Sequence, residues 1–530
     1  MSTSPRGHLA FVLHAHLPFV RHPEFDRFLE ERWLFEAITE TYLPLLRSWR
    51  RMAEEGIQFR LTLSLSPSLR AMLEDPLLQA RYRSHLDDLL VLCDKERERL
   101  RSDAHMARLA DWYAHFFREQ RDLFDACDGR LALAFRDLHH RGVIELATCA
   151  VTHGLLPLLA SQPQTVEAQI ATGLDYFESV MDFRARGLWL PECGWFPGLD
   201  EVLRRHGIDY FFTESIGVEH ASSRPVYGVH APIFTERDVA AFARDQGITR
   251  EVWSADAGFP GDPVYREFYH DIGHDLDWDY IRPHMPGNVR CDTGIKYFRI
   301  TGKTAWKQPY DPEAARERAA QHAAQFVFTR ASQVDYLAPG MKVPPVITAP
   351  FDAELFGHWW FEGPLWLDYV VRKSVFDQTS FSLVTPGDYL DRHPVHQRAT
   401  PACSTWGRGG YLDYWLNGRT DWIFADLKRC GSRMIRLARK FSATPPPDAL
   451  TRRALNQCVR ELLLAQASDW PFIISGGTAE AYAARRVRDH VRRFHTLAES
   501  IENERIDPEV LAALEFADNP FPNADYRLFA

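Results

Sequence analysis

The chain has 530 residues, which at about 150 residues per unit makes room for one barrel-sized domain with additions. Hydrophobic residues at 45% and charged residues at 25% exclude a disordered, collagenous or coiled-coil chain. A net charge of −10 offers no broad basic field, so neither nucleic acid nor an anionic membrane is expected as a main partner.

The first expected strand is His8–Leu13, and the apolar run is broken too soon by His14, His16 and Pro18 to be a secretory leader. The eight cysteines form no CxxC pair and no dense disulfide pattern, which predicts a reducing, cytoplasmic setting. No stretch reaches eighteen uninterrupted apolar residues, so no membrane span is expected. Thr39–Glu55 has helical spacing of Tyr42, Leu43, Leu46, Trp49 and Met52, with Gly56 as its stop. Further strands are predicted at Phe59–Leu65, Val143–Thr148, Gly187–Leu190, Ile208–Phe212 and Pro345–Thr348. A charged helical excursion without strand signal covers about 76–140. The turn-rich SSRPVYG segment is expected to overhang the site as a lid. A Pro/Gly-rich, Trp-bearing stretch at about 395–420 precedes a helical last quarter that includes Arg452–Gln466 and Ala479–Glu499. Strand–helix alternation over this length predicts a parallel α/β barrel.

The strand ends carry the polar residues: His14 and His16, Ser66 and Ser68, His153, Glu192, Glu214, and Asp352. In a barrel such ends converge on one mouth. Glu192 in LWLPECGW and Asp352 in ITAPFDAELFGHWWFEG each follow a hydrophobic strand and are flanked by proline and aromatics. A carboxylate there is costly unless hydrogen-bonded or functional. Two of them across an aromatic-lined cleft suit glycosidic bond cleavage, one as nucleophile or base and one as proton donor. The 15 tryptophans serve either a core or the apolar faces of sugars. A second reading stays open: His14 and His16 share one face of their strand and, with His153 and Asp352, have the residue types of a zinc site.

Six blocks in order, HLAFVLHAHLPFVRHPE, ATCAVTHGLLPLL, LWLPECGW, APFDAELFGHWWFEG, STWGRGGYLDYWLN and LLLAQASDWPF, resemble glycoside hydrolase family 57, in particular its α-1,4-glucan branching enzyme group. The resemblance implies a distorted (β/α)7 barrel at 1–192 and 225–400, a small inserted domain at 193–224, and a helical C-terminal domain at 401–530. It implies a retaining mechanism with Glu192 as nucleophile and Asp352 as general acid/base, and no metal or other cofactor. His14, His16 and His153 would line the donor subsite. Trp278, Trp360, Trp406, Trp415, Asp469 and Trp470 would bind substrate, and Tyr227 would sit on a loop that favours transfer over hydrolysis. The implied substrate is an α-glucan as donor and acceptor, handled by a monomer or small homo-oligomer. An amylase or 4-α-glucanotransferase on the same scaffold, and a silent glucan-binding protein, are the competing expectations.

Overall fold

The computed structural model describes residues 5–304, 306–443 and 446–530. Nine strands form one sheet: β1 (Gly7–Ala15), β2 (Leu61–Leu65), β3 (Ile144–Cys149), β4 (Gly187–Trp189), β5 (Tyr210–Thr213), β6 (Ile233–Phe234), β7 (Ala240–Ala243), β8 (Val346–Asp352) and β9 (Phe381–Leu383). Their order is β6-β7-β5-β4-β3-β2-β1-β8, with β9 added to β1. Eight of them, β7, β5, β4, β3, β2, β1, β8 and β9, pair in parallel, and among the described strands only β6 is antiparallel to its neighbour. Between β7 and β8 there is no ladder, but the Asp245 amide donates to Thr348 O at 3.0 Å and draws the two ends together. This is the distorted (β/α)7 barrel. All nine residues of β1 are buried, as expected of a strand covered on both faces.

Six strands were legible as hydrophobic runs. β6, β7 and β9 were not, because two residues, the sequence AAFA and three residues carry too little β signal. β8 runs beyond Thr348 to Asp352 through Pro350, tolerated in a strand with a ladder on one side only. The expected inserted domain at 193–224 needs correction: this span contains the helix Leu199–Arg205 and β5, which is hydrogen-bonded to both β4 and β7 inside the sheet. It therefore belongs to the barrel wall.

The expected helix Thr39–Glu55 is the later part of a continuous helical run made of Glu31–Ala37, a wide π-helical turn Ile38–Tyr42, and Leu43–Glu54. The excursion forms helices Pro76–Arg99, Ala104–Ala126 and Leu131–His140. Asp75 and Asp103 cap the first two by accepting amide protons from their opening turns. The last quarter holds helices Asp421–Ser442, Ala449–Ala465, Asp469–Gly476, Glu480–Glu502 and Pro508–Ala517. Among the described residues no helix is long and apolar enough to cross a membrane.

Candidate active site

Strand register builds the first row of the site. His14 on β1 stands opposite Ser64 on β2 and Asp352 on β8. His16, just beyond β1, lies with its ring stacked near that of His14, 5.8 Å between centroids. The loop after β3 adds His153, whose ring stacks on His16 at 4.0 Å. Trp189, near the end of β4, stacks flat on His14 at 4.4 Å.

Glu192 follows β4 with φ of 57°, Cys193 has 51°, and His153 has 58°. Three non-glycine residues in the left-handed region, clustered at one mouth, mark backbone held by its surroundings. Those surroundings come from the C-terminal segment. Trp406 N donates to Glu192 O at 2.9 Å and Trp406 Nε1 to Glu192 Oε2 at 2.7 Å. Ser468 Oγ donates to Glu192 Oε1 at 2.8 Å, and Ser468 N to His153 O at 3.1 Å. Asp469, at the start of its helix, accepts from His16 Nε2 at 3.0 Å. Both oxygens of Glu192 thus have a donor, although burial still raises its pKa above the usual carboxylate range.

Asp352 lives differently. Its side chain is exposed at the barrel mouth, and none of the hydrogen bonds among the described residues involves its carboxylate. Desolvation, then the charges of Glu354 and Glu192, push its pKa up to about 8. Such a carboxyl keeps its proton at neutral pH.

Burial, then the neighbouring imidazoles, holds His14 and His153 well below the ordinary histidine pKa, so both are neutral. Burial would lower His16 too, but Asp469 beside it, with Glu354 and Glu192, outweighs burial and raises it. For the zinc reading, the groups around these histidines that are close enough to share an ion are His14 with Cys149 and His153, and His16 with His153 and Asp469. Asp352 is in neither set. The imidazole nitrogens of His14, His16 and His153 are already engaged with each other, with Ser64, Ser66 and Ser468, and with Asp469.

Several expected substrate residues are placed elsewhere. Tyr227 is half-buried and accepts a hydrogen bond from the Lys342 amide at 3.1 Å. Lys342 precedes Val346, the first residue of β8, whereas Asp352 is its last; at about 3.3 Å per residue the strand separates them by roughly 20 Å. The Tyr227 loop therefore lies at the opposite end of the barrel from the acids, and its lid role is withdrawn. Trp360 is 2% exposed, packed on Trp366 and Tyr265, while its neighbour Trp359 is partly exposed against Phe268. Trp415 and Trp470 are also fully buried; Trp470 Nε1 donates to Leu464 O at 2.8 Å. These three tryptophans have no free face for a sugar. Trp278 is partly buried, with the Arg290 guanidinium 5.3 Å from its ring, on a segment that leans on the excursion through Lys95 Nζ and Tyr280 O. Trp406, Asp469, His14, His16 and His153 do gather around Glu192.

Sequence reading missed Ser468, although it sits beside Asp469 in the same block. It also missed half-buried Glu354, which accepts from the His16 amide at 3.1 Å and from Tyr42, and Tyr42 comes from the π-helical turn. Tyr414 and Phe472 are exposed with centroids 4.8 Å apart, on the same stretches of chain as Trp406 and Asp469. Glu214, another strand-end acid, is instead held by Arg244.

A parallel barrel with two carboxylates of opposite character at one mouth defines the class of acid/base carbohydrate-active barrels. The chain belongs to glycosyl hydrolase family 57: the family model matches residues 10–400, and a model of the C-terminal region of 1,4-alpha-glucan branching enzymes matches 426–529. It is 33% identical to a 1,4-alpha-glucan branching enzyme of Thermococcus kodakarensis over 97% of this chain and 77% of that protein. Its structure is similar to that of an alpha-amylase of Thermotoga maritima, with 42% identity, 99% coverage of both chains and TM-score 0.92. It is also similar to a family 57 branching enzyme of Pyrococcus horikoshii, with 30% identity, TM-score 0.88, and 99% and 97% of the two chains covered.

Proposed function

We propose that the protein is a 1,4-α-glucan branching enzyme that cleaves an α-1,4 bond, carries the glycosyl segment on Glu192, and transfers it to a 6-hydroxyl. The observation that carries this reading is that the C-terminal segment, of the branching-enzyme kind, supplies Ser468 and Asp469 directly to the acid cluster. In the first step Asp352, still protonated near neutral pH, donates to the departing glycosidic oxygen while Glu192 attacks C1. In the second, the attacking hydroxyl gives its proton to Asp352 and displaces Glu192, so the anomeric configuration is retained. Trp406, partly exposed beside Glu192, offers a ring to a sugar.

A second reading, an amylase in which water takes the glycosyl group, is favoured by the placement of Tyr227, which leaves the mouth without that loop as a cover. Incubation with amylose and proton NMR separates the two. Branching produces new α-1,6 linkages well in excess of new reducing ends; hydrolysis produces reducing ends without α-1,6 linkages. Redistributed chain lengths with neither signal would identify a 4-α-glucanotransferase, and unchanged amylose a silent binder.

A further inference from the structure

A line of hydrogen bonds runs from β2 to the Glu192 carboxylate. Ser64 Oγ and His14 Nδ1 are 3.1 Å apart, His14 Nε2 and His153 Nε2 3.1 Å, His153 Nδ1 and Ser468 Oγ 2.7 Å, and Ser468 Oγ and Glu192 Oε1 2.8 Å. Chemistry orders every proton in it. To attack C1, Glu192 has to be ionised, and an ionised carboxylate only accepts, so the single hydroxyl proton of Ser468 points at Glu192. Ser468 Oγ must then accept from His153, which puts the His153 proton on Nδ1 and leaves its Nε2 a bare lone pair. His14 therefore donates from Nε2, and its Nδ1 accepts from Ser64, whose alternative acceptor Thr148 O is further away at 3.3 Å. Both rings are buried and neutral, so neither carries a second proton that would undo the order.

We propose that Ser468 is a positioning residue for Glu192, and that Ser64, His14, His153 and Ser468 form a directed relay in which each donor points toward that carboxylate. The relay rests on Glu192 as the nucleophile. Its members carry no charge; they act through aligned dipoles that reinforce one another. When the acceptor hydroxyl attacks C1 and its proton passes to Asp352, the C1–O bond to Glu192 breaks and the electron pair returns to Glu192. The relay and Trp406 then hold one donor on each oxygen of the re-formed carboxylate. The other titratable groups facing Glu192 are His16 with its partner Asp469, Asp352, Cys149 and Cys193, with Arg244 behind Trp406 paired to Glu214.

Two measurements test this. Long-range nitrogen–proton NMR on histidine-labelled protein, with His14→Gln and His153→Gln for assignment, reads the tautomers: His153 is expected protonated at Nδ1 and His14 at Nε2. The opposite tautomer at either ring overturns the relay whatever Glu192 does in catalysis. Second, Ser468→Ala is expected to move the acidic limb of kcat/KM against pH upward by about one unit and to lower the plateau about tenfold, with Ser468→Thr restoring both. Ser64→Ala, which does not touch Glu192, is expected to move the same limb in the same direction by less. A Ser468→Ala limb superimposable on the wild type overturns the positioning role. Full activity in Glu192→Gln would instead remove the nucleophile assignment, leaving the tautomer result to judge the relay by itself.

Discussion

The two acids at the barrel mouth differ in backbone conformation, in exposure and in hydrogen-bond partners. Glu192 sits on left-handed backbone, buried, with a donor on each oxygen and three more groups aligned behind one of those donors. Asp352 closes a regular strand, faces the cleft, has no donor, and is crowded by Glu354 and Glu192. Burial raises both pKa values, but at Glu192 the two donors oppose that rise, whereas at Asp352 the neighbouring carboxylates add to it. Identical chemistry in the side chains is thus divided into nucleophile and proton donor by what surrounds them.

The strongest way to break that comparison is to neutralise each acid. Glu192→Gln is expected to lower turnover of amylose by about 10⁴-fold, and Asp352→Asn by about 10³-fold, measured as initial rates with soluble protein. Only the Asp352 variant should be rescued on a substrate whose leaving group needs no proton. Equal rescue of both would erase the division of labour.

Next comes removal of a donor. Trp406→Phe keeps a ring but deletes the Nε1–H on Glu192 Oε2, and is expected to cost about 10- to 100-fold in kcat. A loss confined to KM would mean that the indole only binds sugar.

The acid–base comparison is also sharpened by pH. Because Asp352 must hold its proton, kcat/KM should decline as pH rises through about 8, and that basic limb should vanish in Asp352→Asn. The same shift has a stability counterpart. A carboxyl whose pKa rises on folding favours the fold while protonated, and this is lost between its unfolded value, near 4, and about 8. Asp352→Asn should therefore melt about 2 °C higher than wild type above pH 8, the gap shrinking toward pH 4. Scanning calorimetry at several pH values checks the sign.

The smallest expected effect belongs to the opposite end of the barrel. Tyr227→Ala should leave the ratio of transfer to hydrolysis within about twofold of wild type, since its hydroxyl is bonded to Lys342 near the start of β8. A large shift toward hydrolysis would return the loop to the site.

Much of the acid pair was legible because a carboxylate directly after a buried strand is rare without cause, and His14 and His16 were legible because alternation places them on one face. Residues whose meaning depends on packing were not. Trp359 and Trp360 are adjacent, and only contacts with Tyr265 and Trp366 decide that the second is core and the first stands partly open. Ser468 is a common residue in a helical region, and nothing local shows that its hydroxyl meets both His153 and Glu192. Tyr227 follows a short helix at the catalytic end of β5, and the chain then runs back outside the barrel to where His230 O meets Val346 N. Spacing along the chain carries no record of that reversal.

Taken by itself, the amino-acid sequence determined the barrel, the helical excursion and the two acids, because hydrophobic periodicity and the cost of unpaired charge are local properties of a strand and its end. The tertiary structure alone decided that β5 belongs to the wall, that three tryptophans are core, and that Tyr227 lies far from the chemistry. It also decided the order of the protons from Ser64 to Glu192. That order needs side chains from β1, β2, the β3 loop and the turn before a helix more than 250 residues further on, and only packing brings those together.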